Sequence, residues 1–159
     1  ADPRDKNVGF RVYFKEESNA DFDLISSEEY DFLRISNKIP ESELDLTYEK
    51  SIILEFGFDN LNAIDYQKGC YIGQELTART HYKGEIRKKL IQITIDNLQK
   101  IEKGQKFSCE GKMSGIVLSS VFSKNKLHAL ALVRLNDSQD GFEKMDNLKF
   151  EQNKITIIA

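Results

Sequence analysis

The chain has 159 residues, which is enough for one full domain or for a small domain with part of another. Its hydrophobic content of 40%, with 10 Phe and 6 Tyr, excludes a disordered or collagen-like chain. The formal net charge of -3 offers no bulk attraction to phosphate backbones or anionic membranes, so direct nucleic-acid binding is not expected.

The two cysteines, Cys70 and Cys109, have no repeated spacing typical of a disulfide scaffold or a zinc site. This usage predicts a reducing compartment. No stretch approaches the roughly 18 apolar residues that a bilayer crossing needs, and the first residues lack the apolar run of a signal peptide. We therefore expect a soluble intracellular protein, and Asp2-Pro3-Arg4 with no initiator Met indicates a piece of a longer one.

The first predicted elements are two strands and a helix. Residues 8–14 alternate well enough for a strand, and residues 21–24 offer another. Ser26 and Glu29 then form a capping-box pattern, which predicts a helix over residues 27–35.

The region after this helix predicts further helical structure. Pro40 is expected to stop any helical structure that follows this helix. A second helix is predicted around residues 48–56, ending near Gly57, because glycine accepts the left-handed conformation at a helix end. A third, over residues 74–80, follows a polar loop.

From residue 85 onward the pattern changes to short alternating runs without helices between them. Such runs predict a small antiparallel β-barrel. The fold class is therefore α+β, with a partial mixed segment at residues 1–85 and a barrel domain at residues 86–159. The first part looks too thin to hold its own core, so we expect it to complete a domain begun upstream. The six predicted strands are residues 87–95, 106–109, 115–122, 127–135, 148–150 and 155–158.

The segment Lys68-Gly69-Cys70-Tyr71-Ile72-Gly73-Gln74-Glu75 carries the most specific chemistry. A thiol beside a cation and ahead of a helix N-terminus is favoured as the thiolate. Gly69 and Gly73 let the backbone approach a ligand closely or adopt positive φ. Gln74 and Glu75 supply an amide and a carboxylate for orienting a substrate or transferring a proton. The alternative is a tight turn around a buried structural cysteine.

The remaining candidates carry weaker signals. Cys109 lies in a predicted strand, which favours a structural role. His81 and His128 are single histidines without metal-ligand spacing, so no metal site is predicted. A basic cluster is read first as a solvated strand edge and second as an anion site; its members are Arg79, Lys83, Arg87, Lys88 and Lys89.

The pattern K-G-C-Y-x-G-Q-E around Cys70 resembles the signature of the YgfZ family, relatives of the aminomethyltransferase T-protein of the glycine cleavage system. The match continues through residues 76–81 and 84–87, and back to residues 2–4, Gly9 and Arg11. The chain is thus similar to the C-terminal part of such a protein.

This resemblance implies a three-part ring around a channel that binds folate. It makes Lys68, Cys70, Gln74 and Glu75 the expected catalytic residues. The cofactor would be tetrahydrofolate, bound weakly or not at all by this chain alone. The residues expected to hold it are Gly69, Tyr71, Gly73, Arg79 and Glu55.

One position departs from the family's pattern. T-proteins, and some YgfZ members, carry R-L/I-E-A-G where this chain has residues 34–38. Ser36 therefore occupies the position of the glutamate whose carboxylate is expected to hold the pterin. A serine hydroxyl cannot replace a charged bidentate acceptor, which argues against aminomethyl transfer. Glu55 is a candidate substitute acceptor, although it also reads as a surface charge at a helix end.

The leading hypothesis is a folate-dependent accessory factor for assembly or repair of iron-sulfur proteins, acting through Cys70 on client or assembly proteins. Two cysteines cannot supply the four thiolates typical of a cluster, so a cluster here would be transient or shared. The alternatives are a folate-dependent aminomethyltransferase and a non-catalytic interaction module with a structural cysteine. The resemblance implies the bacterial cytoplasm or the mitochondrial matrix, and a link to tRNA modification.

Overall fold

The fold is described from a computed structural model. It describes residues 1–15, 24–84, 86–109, 112–135, 148–150 and 153–158.

Six antiparallel strands form a closed barrel in the order β1-β4-β3-β2-β5-β6, with β6 pairing back to β1. Each strand therefore has a paired neighbour on both sides over part of its length, which limits the exposed edge available for strand-to-strand aggregation. All six strands predicted from the sequence are present, with ends that differ by three residues or fewer. The strands are β1 Lys88–Ile95, β2 Lys106–Cys109, β3 Lys112–Ser123, β4 Lys126–Arg134, β5 Leu148–Phe150 and β6 Asn153–Ile158.

Alternation along the strands builds two apolar layers. In β1, the side chains of Ile91, Ile93 and Ile95 join the core inside the barrel, while Leu90 belongs to a second cluster on the outer surface. This period of two is the pattern that the sequence displays. The other fully buried members of the inner core include Val117, Leu127, Ala129, Ala131 and Val133.

Gly115 in β3 makes room for an aromatic ring of the inner core. A Cβ at this position would lie 2.5 Å from the Cζ of Phe107 and 3.0 Å from the backbone oxygen of Leu132. Phe107 is buried and belongs to the inner core. The barrel therefore uses the absence of a side chain at residue 115 to accommodate the phenyl ring.

The helix α1, Ser27–Ser36, covers the outside of the barrel over β3 and β4. Its capping box is formed as predicted: the Ser26 hydroxyl accepts the Glu29 N–H, and the Glu29 carboxylate accepts the Ser26 N–H. Ile35 is fully buried against the outer cluster, where Phe56 joins it. The first part of the chain therefore packs its apolar residues on the barrel, so the two parts share a core.

Two further helices and two short 3-10 helices complete the described elements. These are α2 Ser42–Asp45, α3 Gln74–Lys83, and the 3-10 helices Lys6–Val8 and Ile53–Phe56. The predicted helix at residues 74–80 is present and runs one turn further. Gly57 ends the second 3-10 helix with φ +73, as its sequence position predicted.

Two predicted elements differ from the structure. The strand at residues 8–14 is wrong: residues 9–14 belong to no ladder, because no described strand lies beside them. The helix at residues 48–56 is reduced to the 3-10 helix Ile53–Phe56, preceded by a turn. Residues 21–23 of the other predicted strand lie outside the described residues, and so does Glu85, at the proposed boundary.

A charged network ties residues 2–4 to the helices. Arg4 donates to both oxygens of Asp2, at 3.1 and 2.9 Å, and to Glu41 at 2.9 Å. Asp2 is buried, and the hydrogen bond from Arg4 lowers its pKa to about 2. The Tyr30 hydroxyl of α1 also donates to Glu41. These contacts fix the N-terminal segment on α1 and α2.

Candidate functional site

Cys70 lies in the loop that leads into α3, and its side chain is exposed. The start of this loop is fixed by Asp65, whose carboxylate accepts the backbone N–H groups of Gln67 and Lys68 at 2.8 and 3.2 Å. Such side-chain acceptors hold a turn without any regular ladder. The exposed position does not agree with the alternative of a buried structural cysteine.

Two predicted residues meet directly beside Cys70. The Lys68 ammonium lies 4.7 Å from the centre of the Tyr71 ring, a cation–π contact. At exposed sites such a contact is worth about 0.5–1 kcal/mol. Lys68 and Tyr71 therefore form one local unit that brackets the thiol on both sides along the chain.

The loop ends at Gly73, which is the N-cap of α3 and has φ +87. Its carbonyl accepts the Thr77 backbone N–H and the Thr77 hydroxyl, at 3.2 and 3.1 Å. No side chain caps the first N–H groups of α3. The helix N-terminus after Cys70 thus presents backbone donors without a side-chain acceptor, which is the end that favours negative charge.

The predicted carboxylate and guanidinium on α3 are paired with each other. Arg79 donates to Glu75 at 2.6 Å, one turn apart on an exposed helix face. Pairs of this kind contribute about 0.3–0.5 kcal/mol. Gln74 is the first residue of α3 and is half-buried.

An aromatic cluster packs the start of the loop onto the end of α3. The Tyr66 ring stacks on His81 with centroids 4.0 Å apart and planes 23° apart, and Tyr82 meets both rings edge-on. Burial raises the pKa of the Tyr66 phenol. The sequence analysis did not identify Tyr66 or Tyr82. No local pattern reveals them, because their contact joins the two segments that flank the motif.

Glu55 is buried rather than exposed, which corrects its reading as a surface charge. Only 8% of its side chain is accessible, and one carboxylate oxygen lies 3.5 Å from the Lys88 ammonium. Lys88 is therefore a partner of Glu55 as well as a member of the predicted basic cluster. The 3-10 helix that carries Glu55 packs against α3.

The segment that departs from the family's pattern has a structural role here. Arg34 is almost fully buried and forms ion pairs with Asp45, at 2.9 Å, and with Asp31. Ser36 is the last residue of α1. Lys38, at the family's glycine position, has φ +55, a left-handed conformation that glycine adopts more readily than lysine.

The two charged residues expected to hold folate have other partners in this chain, which does not fit that role. Arg79 and Glu55 are engaged by Glu75 and Lys88, and Ser36 supplies no carboxylate. Among the clefts of the described residues, one of about 450 Å³ is lined by α1 with β3 and one of about 610 Å³ by α2 with residues 46–51; neither of these two includes a predicted site residue.

The other sequence candidates lie in structural settings. His128 of β4 meets the Phe32 ring of α1 edge-on at 4.9 Å, and burial lowers its pKa. Cys109 ends β2, and its side chain lies outside the described residues. Within the described ranges, no group of three or more His, Cys, Asp or Glu side chains is placed to hold a metal ion. No helix in those ranges is both long and apolar enough to cross a bilayer.

Proteins with sequences similar to this chain are iron-sulfur cluster assembly factors named as mitochondrial, which confirms the resemblance to YgfZ-related proteins. The iron-sulfur cluster assembly factor IBA57 of Mus musculus is 37% identical over 98 residues, which are 60% of this chain and 27% of the mouse protein.

Two IBA57 homologues from other organisms agree with this match. The one from Mycosarcoma maydis is 37% identical over 97 residues, covering 58% of this chain and 24% of the relative. The one from Dictyostelium discoideum is 36% identical over 101 residues, covering 59% and 25%. The chain thus covers about a quarter of the length of these relatives. No protein-family model matches it.

Proposed function

We propose that this chain belongs to an accessory factor for the assembly of iron-sulfur proteins and that Cys70 is its functional thiol. The observation that carries the first part is homology to proteins named as iron-sulfur cluster assembly factors. Support for the second is the exposure of Cys70 on a structured loop ahead of an uncapped helix N-terminus.

In this role the thiol would act as a temporary iron ligand, while the iron-sulfur cluster passes from a donor protein to an acceptor protein. An exposed thiolate is a good iron ligand, and one thiolate leaves the other ligand positions to the donor and acceptor proteins. Contact with iron-sulfur client or assembly proteins follows from this role. The mitochondrial matrix is the compartment that the relatives' names favour.

We propose that the complete protein has the ring architecture of the T-protein relatives and that folate, if it binds, is held mainly by upstream residues. No specific observation favours the aminomethyltransferase alternative, and the Ser36 position argues against it.

Depletion of the protein from its cells tests the proposed role. We expect the activities of cluster-containing enzymes to fall and to recover when the wild-type gene is restored. An enzyme of the same compartment without a cluster is the control and keeps its activity. Unchanged cluster enzymes after depletion would contradict the proposal.

A further inference from the structure

The Cys70 loop is held at both of its ends by the same helix. It enters α3 at Gly73, while Tyr66, at its other end, stacks on His81 in the last turn of α3. With a rise of about 1.5 Å per residue, His81 lies about 10 Å along the helix from Gln74. The loop therefore runs back along α3, and Cys70 lies between two fixed points.

The contact that holds Tyr66 in place comes from its ring. Its hydroxyl oxygen is buried and has no hydrogen-bond partner among the described residues. The centroid of the Tyr66 ring lies 4.0 Å from that of His81, in a stacked arrangement, and 6.0 Å from that of Tyr82, in an edge-on arrangement. Stacked and edge-on aromatic pairs at these distances are favourable beyond the area that they bury.

We propose that Tyr66 and His81 are positioning residues that clamp the Cys70 loop onto α3 and so present the thiol in its working place. The inference rests on the proposed function of Cys70. Neither residue reacts. Residues 66–73 include the two glycines Gly69 and Gly73, so without the stack we expect this segment to sample more conformations.

The test compares variants that remove the stack with variants that keep it. His81→Ala and Tyr66→Leu remove it, and Tyr66→Leu retains an apolar side chain in case His81→Ala fails to fold. Tyr66→Phe and His81→Phe keep two stacked rings. Tyr48→Ala removes an exposed tyrosine elsewhere and is the matched control.

Amide hydrogen exchange of the complete protein gives the structural readout. We expect peptides covering residues 66–73 to exchange about three- to tenfold faster in the variants without the stack, while peptides from β1 and β4 are unchanged. The two Phe variants and Tyr48→Ala should match the wild type. An unchanged loop in both Tyr66→Leu and His81→Ala would overturn the clamp.

Rescue of cluster enzymes in cells lacking the protein gives the functional readout. We expect at least a threefold loss with Tyr66→Leu and recovery with Tyr66→Phe. Full rescue by a variant whose loop exchanges faster would overturn the positioning role. If Cys70→Ser also rescued fully, the proposed function of the thiol would fail, whereas the exchange result would still decide whether the clamp exists.

Discussion

The two glycines beside Cys70 have different physical roles. Gly73 has φ +87, a conformation that L side chains rarely adopt, and it starts α3. Gly69 does not have a positive φ of this kind, and a Cβ there would meet no atom within 4 Å. The fold therefore favours glycine at residue 73 and permits a side chain at residue 69.

Alanine substitutions separate these roles. We expect Gly73→Ala to lower the free energy of unfolding by about 1 kcal/mol, and Gly69→Ala to change it by less than about 0.5 kcal/mol. Urea unfolding of both variants measures the difference. Equal losses would contradict the assignment. A loss of function in Gly69→Ala at unchanged stability would indicate that a partner packs against this backbone.

Asp2 makes part of the stability dependent on pH. Its pKa in the folded chain is about 2, against 3.8 for the free side chain. A carboxylate with a lowered pKa contributes stability that is complete above about pH 4 and is lost as the pH falls towards 2. Between pH 5 and pH 2, the free energy of unfolding should therefore fall more steeply for the wild type than for Asp2→Asn. Parallel curves would contradict the role of the Arg4 contact.

At the scale of elements, the barrel strands were predictable and two local elements were not. Runs such as residues 87–95 alternate with a period of two, and both faces of β1 are buried in apolar clusters. Residues 8–14 show the same alternation, but a strand also needs a neighbour to pair with, which a local pattern does not contain. Residues 48–56 have helical spacing, but only their last residues are buried.

Those features of the candidate site that depend on neighbouring residues were predictable from the sequence. The motif, the helix after it and the positive φ of Gly73 follow from neighbouring residues. Two contacts of the site join residues far apart in sequence, so no local pattern predicts them. They are the stack of Tyr66 on His81 and the ion pair between Glu55 and Lys88. Burial of Glu55 depends on packing that only the fold supplies.

Substitution of Gly115 tests the packing of the Phe107 ring inside the barrel. We expect Gly115→Ala to lower the free energy of unfolding by about 1–3 kcal/mol, because the new methyl group would overlap the Phe107 ring. Adding Phe107→Leu should recover part of the loss, since the smaller side chain can move. Gly69→Ala is the matched control. Denaturant unfolding with an unchanged midpoint in Gly115→Ala would contradict the packing described.

At the scale of the whole molecule, the two halves of the chain share an apolar cluster. Ile35 and Phe56 from the first half pack with Leu90, Leu130 and Leu132 on the outside of the barrel. The boundary near residue 85 therefore separates sequence patterns, and whether each part folds alone stays a prediction.

Folate binding by the 159-residue chain is expected to be weak. The charges of Arg79 and Glu55 are paired, and Ser36 lacks a carboxylate for the pterin. Calorimetry with tetrahydrofolate measures this directly. A dissociation constant in the low micromolar range, about 8 kcal/mol of affinity, would contradict the expectation.

We propose that the thiol of Cys70 is required for the assembly of iron-sulfur proteins. Cys70→Ser and Cys109→Ser, expressed at equal levels in cells lacking the protein, test it through the activity of cluster-containing enzymes. Cys70→Ser should give the activity of cells without the protein while its thermal midpoint stays that of the wild type, because the side chain is exposed. Cys109→Ser should restore activity. Full restoration by a folded Cys70→Ser would contradict the account.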